Sequence, residues 1–260
     1  MNILCFSGGK DSTALILLAE ENLDSFNTIF CDTGWEDEQT YNYIDYINEK
    51  LLKNKLIKLK SEKYDGFIDL AIKKQRFPST NARFCTQELK IIPMKNYINQ
   101  FDNVHLYNGI RAEESFRRSQ MDETVYDDYL IAWVHRPLLK WVVKDVLNII
   151  KKYDIELNPL YKQGMSRVGC MPCIMCNHKE MRNIIKNKFD VIEKLIKYEN
   201  EIGHTFFPPN YIPDWACSMK SDKGTKYPTI NDIVKYLQKD KNQQEIFEQP
   251  SCMSFYGLCE

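Results

Sequence analysis

Short apolar runs that alternate with helix-forming segments are the feature that most restricts how this chain can fold. The run NILCF at residues 2–6 precedes a glycine-containing turn and then the helix-forming segment STALILLAEEN, and this order repeats along the chain. The predicted strands lie in the segments NILCF, NTIFCDTG, KLIKLK, NVHLYNGI and WVHRPLL. Helices between successive strands favour a parallel sheet that is covered on both faces. We therefore predict an α/β fold with a parallel sheet for residues 1–158.

After about residue 158 the alternation stops and the composition changes. The segment NPLYKQGMSRVGCMPCIMCNHKE is loop-like and rich in cysteine. One helix is predicted over NIIKNKFDVIEKLIKYENEIG and another over TINDIVKYLQKD. We predict that residues 159–260 form a smaller, mainly helical subdomain. In the first region, the helix predicted over TQELKIIPMKNYINQ is expected to be strained at Pro93, because proline has no backbone N–H to donate.

The segment SGGKDST at residues 7–13 follows a predicted strand and opens a predicted helix. Backbone N–H groups and a helix N-terminus converge on an anion in this arrangement. Gly8 and Gly9 let the backbone approach a phosphate closely, and Lys10 adds a positive charge. The loop matches neither the Walker A pattern nor GxGxxG. A phosphate-binding loop is the favoured interpretation, and a glycine turn with an ordinary capping serine is the alternative.

The charge and the cysteine content narrow the classes of protein that fit. The 260 residues include 35 basic and 36 acidic ones, so no overall electrostatic attraction to nucleic acid or membrane is expected. No apolar stretch approaches the roughly 18 residues of a membrane span, and no secretory leader is recognisable. The nine cysteines are an odd number and are clustered. This favours a cytoplasmic protein with a metal site or reactive thiols over a disulfide framework.

The segment SGGKDST resembles the PP-loop of the ATP pyrophosphatases, which split ATP into AMP and pyrophosphate and leave the AMP on a substrate. Further segments resemble, in order, those of the phosphoadenosine-phosphosulfate (PAPS) reductase branch: CDTGWEDEQT, RFCTQELK, NGIRAEESFRRS, and RPLLKWVVKDV with NPLY. The resemblance spans residues 3 to about 178. It implies a PP-loop domain with the strand order 3-2-1-4-5.

The resemblance also implies roles for individual residues. The nucleotide phosphates would be held by Ser7, Gly8, Gly9, Lys10, Asp11 and Ser12. Asp32, Thr33 and Gly34 would line the nucleoside pocket. Arg83 and Lys90 would contact an anion of the nucleotide or substrate. The opposite wall of the pocket would consist of Arg111, Glu114, Ser115 and Arg118. The residues predicted to act in catalysis are Lys10, Asp11, Arg111 and Arg118. The close arginines and carboxylates of NGIRAEESFRRS independently suit an anionic ligand, and a solvated surface run with local salt bridges is the alternative.

The PAPS reductase branch contains both ATP-cleaving enzymes and sulfonucleotide reductases, and the sequence favours the former. Reductases carry an ECGxH-type segment whose cysteine attacks sulfur, whereas this sequence ends YGLCE. Reductases also typically have a degraded glycine loop, and this loop is intact. We therefore expect transfer of AMP from ATP, with Mg²⁺ on the phosphates, since such chemistry depends on positioning and electrostatics.

The acceptor of the AMP is not specified by the sequence. The resemblance implies sulfate or a nucleic acid, with a sulfur-donor protein as a partner, and homo-oligomers are compatible with it. Two alternatives are a sulfonucleotide reductase that uses another thiol and an accessory subunit that senses ATP without turnover.

The cysteines suggest a metal site in the helical subdomain. A structural site needs four ligands, and the predicted set is Cys170, Cys173, Cys252 and Cys259. Similar arrangements in the resembled branch hold a 4Fe–4S cluster, and Zn²⁺ would accept the same thiolates. Cys176 or His178 could replace a ligand. The alternative is that these are ordinary core cysteines.

The remaining cysteines have other interpretations. Cys85 lies in the segment RFCTQELK and is either a persulfide carrier or a small residue in a crowded loop. Cys5 and Cys31 lie within apolar predicted strands, so we predict that both are in the core.

Overall fold

A computed structural model of the chain describes residues 1–239. Its central sheet has six strands: β1 (Asn2–Phe6), β2 (Asn27–Cys31), β3 (Ile57–Leu59), β4 (His105–Tyr107), β5 (Thr124–Asp127) and β6 (Ala132–His135). Their order across the sheet is β3-β2-β1-β4-β6-β5. All pairs are parallel except β5 with β6, which is antiparallel. The predicted α/β class is therefore confirmed.

The five predicted strands keep the expected order 3-2-1-4-5, because β6 is the strand predicted fifth. The extra edge strand β5 was not predicted. Its sequence is TVYD, and three of its four side chains are exposed, so it has neither the apolar run nor the alternation that indicates a strand. It lies between acidic residues and joins the sheet through the hairpin to β6.

Helices cover both faces of the sheet. The helices of this part of the chain are α1 (Lys10–Asn22), α2 (Glu38–Lys50), α3 (Phe67–Lys73), α4 (Phe84–Thr86), α5 (Ile92–Ile98), α6 (Phe116–Ser119) and α7 (Val143–Lys152), of which α1, α2 and α7 cover one face of the sheet and α5 the other. The side chains of β1 alternate between the two layers. Leu4 and Phe6 pack with α1, α2 and α7, whereas Ile3 and Cys5 pack with α5.

The helix predicted around Pro93 is confirmed, because helical backbone continues from Phe84 to Ile98. A π-helical turn at Gln87–Ile91 separates α4 from α5, and Pro93 lies in the first turn of α5. The Ile92 amide donates to the Gln87 carbonyl, five residues back, so the helix continues through the π turn. Proline, which has no N–H to donate, follows directly after this turn.

Residues 159–239 contain four α-helices and a two-stranded ribbon: α8 (Pro159–Lys162), α9 (His178–Asn187), α10 (Phe189–Ile202), α11 (Ile230–Lys239), β7 (Met219–Lys220) and β8 (Lys226–Tyr227). The single helix predicted over NIIKNKFDVIEKLIKYENEIG is wrong. It is divided between α9 and α10 at Lys188, whose φ and ψ are −139° and 59°. The Lys188 ammonium lies 2.9 Å from the Asp37 carboxylate, so the junction is anchored to the start of α2.

A third apolar cluster joins the two parts of the chain. It contains Trp35, Phe67 and Leu89 from the first part and Leu160 and Leu195 from the second. The boundary predicted near residue 158 therefore crosses a common core. No helix within residues 1–239 has both the length and the apolar composition needed to span a membrane.

Candidate functional site

The predicted phosphate loop connects β1 to α1 at the carboxyl edge of the sheet. The helix begins at Lys10 with Gly9 as its N-cap. Gly8 has a φ of +83°, and a Cβ there would lie 3.0 Å from Thr40 Cγ2, so glycine is required by both the backbone and the neighbouring helix. The Ser12 hydroxyl donates to the Gly9 carbonyl at 3.1 Å and accepts from the Ser7 amide at 3.2 Å. These bonds fix the loop around the helix N-terminus.

A buried group of charges supports this loop. Asp11 is fully buried and lies 2.6 Å from the Lys10 ammonium and 2.6 Å from Arg111 Nε. Arg111 comes from the segment that follows β4. Before it, Gly109 approaches so closely that a Cβ would lie 3.0 Å from the Asp11 backbone. The fold thus brings two predicted site segments, which are about one hundred residues apart in the chain, into direct contact.

The segment after Arg111 is not a solvated surface run. Arg111 and Arg118 are 3% and 2% exposed. The Arg111 guanidinium also binds Glu113 at 2.5 Å, and the Glu114 carboxylate accepts from the Arg111 amide at 2.9 Å and pairs with Arg118. The Ser115 hydroxyl accepts from the Arg118 amide at 3.2 Å and caps α6. Glu114 and Ser115 therefore position the two arginines.

The predicted nucleoside-binding residues follow β2. Asp32 accepts hydrogen bonds from the Gly34 amide at 2.9 Å and the Tyr41 hydroxyl at 2.7 Å, and Lys60 lies 3.2 Å away. Burial works against the Asp32 charge, but these three donors together lower the pKa of its carboxyl group. Asp32 therefore carries its charge at neutral pH.

Thr33 is buried and directs its hydroxyl at Glu36, to which it donates at 2.6 Å. Burial raises the pKa of Tyr41, and the carboxylates of Glu36 and Asp32 raise it further. Tyr41 therefore stays protonated, and its single O–H lies between the two carboxylates, 2.7 Å from Asp32 and 3.0 Å from Glu36, so that it donates to one of them at a time.

Three cysteine thiols lie near the carboxyl edge of the sheet. A small cavity is lined by Thr33, Arg83, Cys85, Lys90, Cys170 and Cys173, among others. The segment carrying Cys170 is fastened to the loop after β2, because the Met171 amide donates to the Trp35 carbonyl at 2.8 Å and Trp35 Nε1 donates to the Pro172 carbonyl at 3.0 Å. The fold therefore places Cys85, Cys170 and Cys173 beside the predicted anion ligands Arg83 and Lys90.

The described residues do not by themselves supply a metal site. Within residues 1–239 there is no group of three or more histidine, cysteine or carboxylate side chains arranged to hold a metal ion. Of the four predicted ligands, Cys252 and Cys259 lie outside the described residues. His178 Nε2 lies 2.6 Å from the Tyr211 carbonyl and the ring packs edge-on to Tyr211. The four-cysteine site therefore stays a prediction.

Sequence reasoning missed several residues that shape the site. Tyr41 and Glu36 orient the loop after β2, and Asn158 and Tyr161 contact the phosphate loop from α8. The segment NPLY contributes to the family resemblance, but its sequence does not indicate that Asn158 or Tyr161 contacts the phosphate loop. Burial confirms that Cys5 and Cys31 are core residues, at 2% and 5% exposure.

A mostly parallel sheet with a glycine loop on β1 and buried arginines at its carboxyl edge is the architecture of an α/β domain of the PP-loop type. The chain belongs to the phosphoadenosine phosphosulfate reductase domain family, whose model matches residues 1–176. This is a family of enzymes of sulfur metabolism that bind nucleotide substrates. The family resemblance predicted from the motifs is confirmed.

Individual relatives support the same family. A 37.8 kDa protein of Escherichia phage 186 is 33% identical over 330 aligned positions, which cover 100% of this chain and 97% of the relative. A Methanocaldococcus jannaschii protein is 29% identical over 83% of this chain, which spans 53% of that longer protein. The adenosine 5′-phosphosulfate reductase of a Geobacillus species is 26% identical over 64% of this chain and 70% of its own length.

The fold has a counterpart among solved structures. The phosphoadenylyl-sulfate (PAPS) reductase of Candida auris, in its phosphate complex, superposes with a TM-score of 0.53. The match covers 66% of this chain and 82% of that one at 16% identity. At this identity the likeness shows the fold alone.

Proposed function

We propose that this protein is an ATP pyrophosphatase of the PAPS reductase family that transfers AMP to an acceptor. The observation that carries the proposal is the intact loop with Lys10, whose ammonium lies at the N-terminus of α1 next to a buried Asp11–Arg111 pair. A helix N-terminus and a neighbouring ammonium are suited to a phosphate chain. They can also stabilise negative charge as it develops on a leaving pyrophosphate.

Each charged residue has a role in this proposal. Lys10 and the loop amides bind the β- and γ-phosphates of ATP. Asp11 holds Lys10 and Arg111 in place, because both lie 2.6 Å from its carboxylate. Arg111 and Arg118 form the wall against which the α-phosphate and the acceptor are positioned, with their charges balanced by Asp11, Glu113 and Glu114. The pocket after β2 receives the nucleoside.

The proposed reaction needs Mg²⁺, an acceptor for the AMP and a sulfur-donor protein. Asp11 is already occupied by two cations, so it does not fit as a ligand for Mg²⁺, and we expect Mg²⁺ to arrive with the ATP phosphates. The acceptor is sulfate or a nucleic acid, with a sulfur-donor protein as partner in the cytoplasm, where ATP is supplied.

Sulfonucleotide reduction is a second candidate, and the names of the relatives favour it. Several of them are adenosine 5′-phosphosulfate reductases. The thiols of Cys85, Cys170 and Cys173 line one cavity with Arg83 and Lys90, which would suit a sulfur group carried on a nucleotide. In this candidate the loop would hold a phosphate of the sulfonucleotide.

One set of assays separates the candidates. Purified protein is incubated anaerobically with ATP and Mg²⁺, with and without sulfate, tRNA or DNA, and AMP and pyrophosphate are quantified. The proposal expects pyrophosphate release that depends on an acceptor and falls roughly 100-fold or more in Lys10→Met. In parallel, sulfite is measured after addition of adenosine 5′-phosphosulfate or its 3′-phosphorylated form with a dithiol reductant.

Each candidate function predicts a different product, pyrophosphate for adenylyl transfer and sulfite for sulfonucleotide reduction. Sulfite formation without pyrophosphate release would overturn adenylyl transfer and identify a reductase. Tight ATP binding without either product would identify an accessory subunit that senses ATP.

A further inference from the structure

The hydroxyl of Tyr161 contacts the phosphate loop at a place where a nucleotide phosphate would be expected. The Lys10 amide, the first of α1, donates to the Tyr161 hydroxyl oxygen at 3.1 Å. The Lys10 ammonium lies 5.4 Å from the centre of the Tyr161 ring. Both the backbone and the side chain of the loop lysine therefore face one tyrosine, which comes from α8 in the second part of the chain.

The position of Tyr161 is fixed by its neighbours. Asn158 is fully buried, donates to the Gly8 carbonyl at 3.2 Å and accepts from the Leu160 amide at 3.0 Å. Leu160 is also fully buried and belongs to the core shared by the two parts of the chain. Gln163 donates to Gln39 of α2 at 2.8 Å. The short helix α8 is thus held at both ends, to the phosphate loop through Asn158 and to α2 through Gln163.

The first amides of a helix have no acceptor within the helix and are the groups that bind an anion. One N–H makes one strong hydrogen bond, so a phosphate oxygen can take the Lys10 amide only if the phenol oxygen gives it up. A tyrosine hydroxyl is both an acceptor and a donor. After such an exchange it lies within reach of the same phosphate oxygen and can donate its proton to it.

We propose that Tyr161 is a positioning residue of the nucleotide site, whose hydroxyl accepts from the Lys10 amide without nucleotide and donates to a loop-bound phosphate oxygen when a nucleotide is present. This inference rests on the proposed nucleotide binding at the loop and adds a residue to it. Tyr161 keeps the loop amide satisfied in the free protein, and it then contributes a charge-assisted hydrogen bond to the complex. It also makes phosphate binding dependent on the docking of α8.

The test compares the affinity of the full chain for ATP and for adenosine, by calorimetry, in the wild type and in Tyr161→Phe. If adenosine 5′-phosphosulfate is the nucleotide that the wild type binds, it replaces ATP. We expect Tyr161→Phe to weaken nucleotide binding about tenfold, the effect of one hydrogen bond to a charged group, and to leave adenosine binding unchanged. Tyr161→Leu, which also removes the ring beside the Lys10 ammonium, should weaken nucleotide binding further.

The matched control is Tyr153→Phe. Tyr153 also loses a phenol hydrogen bond, of 2.7 Å to Glu21, but it lies at the end of α7, and nucleotide binding should be unchanged. A second measurement follows the exchange of the Lys10 amide hydrogen by NMR. It should be faster in Tyr161→Phe than in the wild type without nucleotide, and equally slow in both with nucleotide.

The results separate two failures. If the wild type binds neither nucleotide, the proposed function is wrong and the role of Tyr161 falls with it. If the wild type binds a nucleotide and Tyr161→Phe binds it equally well, or loses nucleotide and adenosine binding in the same proportion, only the role of Tyr161 is overturned. An unchanged exchange rate of the Lys10 amide in the free variant would overturn it as well.

Discussion

Asp11 is fully buried and has cations on two sides, Lys10 and Arg111. Burying a carboxylate is unfavourable unless it is paired, and removing one partner of a buried pair leaves the other charge uncompensated. Arg111 is therefore needed for the stability of the loop as well as for the ligand. The segments SGGKDST and NGIRAEES work as one unit for this reason.

We predict that Arg111→Met lowers the free energy of unfolding by about 3 kcal/mol, because it leaves Asp11 buried with a single partner. The Asp11→Asn and Arg111→Met double variant should recover part of this loss, since it removes both charges. Urea unfolding followed by circular dichroism measures the three proteins. Arg117→Met, at an exposed position of the same segment, is the control and should change the free energy by less than about 0.5 kcal/mol. Equal midpoints for Arg111→Met and Arg117→Met would contradict the prediction.

Sequence patterns identify site residues that lie within one short segment, but they do not identify residues that only folding brings to the site. The loop residues Ser7 to Ser12 could be predicted because the chemistry of a phosphate loop is local. Tyr41, Asn158 and Tyr161 could not, because their contacts depend on how α2 and α8 pack. Gly109 follows the same rule, since only the approach of the Asp11 backbone makes its lack of a Cβ necessary.

The loop after β2 and the cysteine segment form one structural element, although they are far apart in the chain. Trp35 lies at their junction. It stacks on Phe67 with ring centres 5.2 Å apart, and its Nε1–H bonds to the Pro172 carbonyl, within the segment from Cys170 to Cys173. The two thiols are thus held in position by the indole ring together with the backbone bond from Met171 to Trp35.

We predict that Trp35→Phe keeps the stacking but loses the bond to Pro172, and that it exposes the cysteine segment more often. Alkylation by iodoacetamide, resolved by residue with mass spectrometry, should be faster at Cys170 and Cys173 than in the wild type. The loss in stability should be about 1 kcal/mol, the net value of one hydrogen bond. Cys217 lies on the turn after Asp214–Ala216 and should be labelled at an unchanged rate. Unchanged labelling of Cys170 and Cys173 would show that the bond does not hold the segment.

Glu199 of α10 joins three elements of the helical region. Its carboxylate accepts from the Phe206 amide at 2.7 Å and from the Ile230 amide, at the start of α11, at 2.9 Å. Burial, with a contribution from Asp232, raises the pKa of Glu199 to about 7 against the effect of these two donors. The usual pKa of the group is 4.5, so folding favours its protonated form.

The sign of the pH dependence follows from this shift. A carboxyl group whose pKa is higher in the folded state stabilises the fold at low pH, and this stabilisation is lost as the pH rises from about 4.5 to about 7. Glutamine resembles the protonated form and does not titrate. We predict that Glu199→Gln becomes more stable relative to the wild type by up to about 3 kcal/mol between pH 5 and pH 8. Urea unfolding at several pH values measures the difference, and Glu201→Gln, at an exposed position of the same helix, should show none. A constant difference for Glu199→Gln across this range would refute the prediction.

Elements with regular patterns were predicted well, and the interruptions between them were not. The strands β1, β2 and β4 have apolar runs that mark them, whereas β5 is short and exposed. The division at Lys188 depends on its ion pair with Asp37, more than one hundred residues away, which no local pattern contains. The π turn before Pro93 is likewise absent from the local pattern, which indicates only a helix.

The molecule as a whole has a core that crosses the boundary predicted at residue 158. Trp35, Phe67 and Phe77 pack in one cluster with Phe206 and Leu195, and Phe206 lies 5.1 Å from Phe77 between ring centres. The alternation of strands and helices does end near residue 158, but the apolar surface does not. The sequence pattern indicates where the architecture changes, but it does not indicate that the two parts of the chain share an apolar core.

We predict that residues 1–158 alone do not fold cooperatively. Removing the second part would expose the apolar side chains of the shared cluster, at about 1.5–3 kcal/mol for each large one. For five such side chains this is roughly 10 kcal/mol, comparable to the entire stability of a typical domain. The fragment should therefore unfold in urea without a sigmoidal transition and should bind a dye that reports exposed apolar surface. A chain ending at Lys239 retains every member of the cluster that lies within the described residues and should show a single transition. If instead the 1–158 fragment unfolds cooperatively and binds ATP, the two parts are independent domains, and the contacts of α8 with the phosphate loop are dispensable for nucleotide binding.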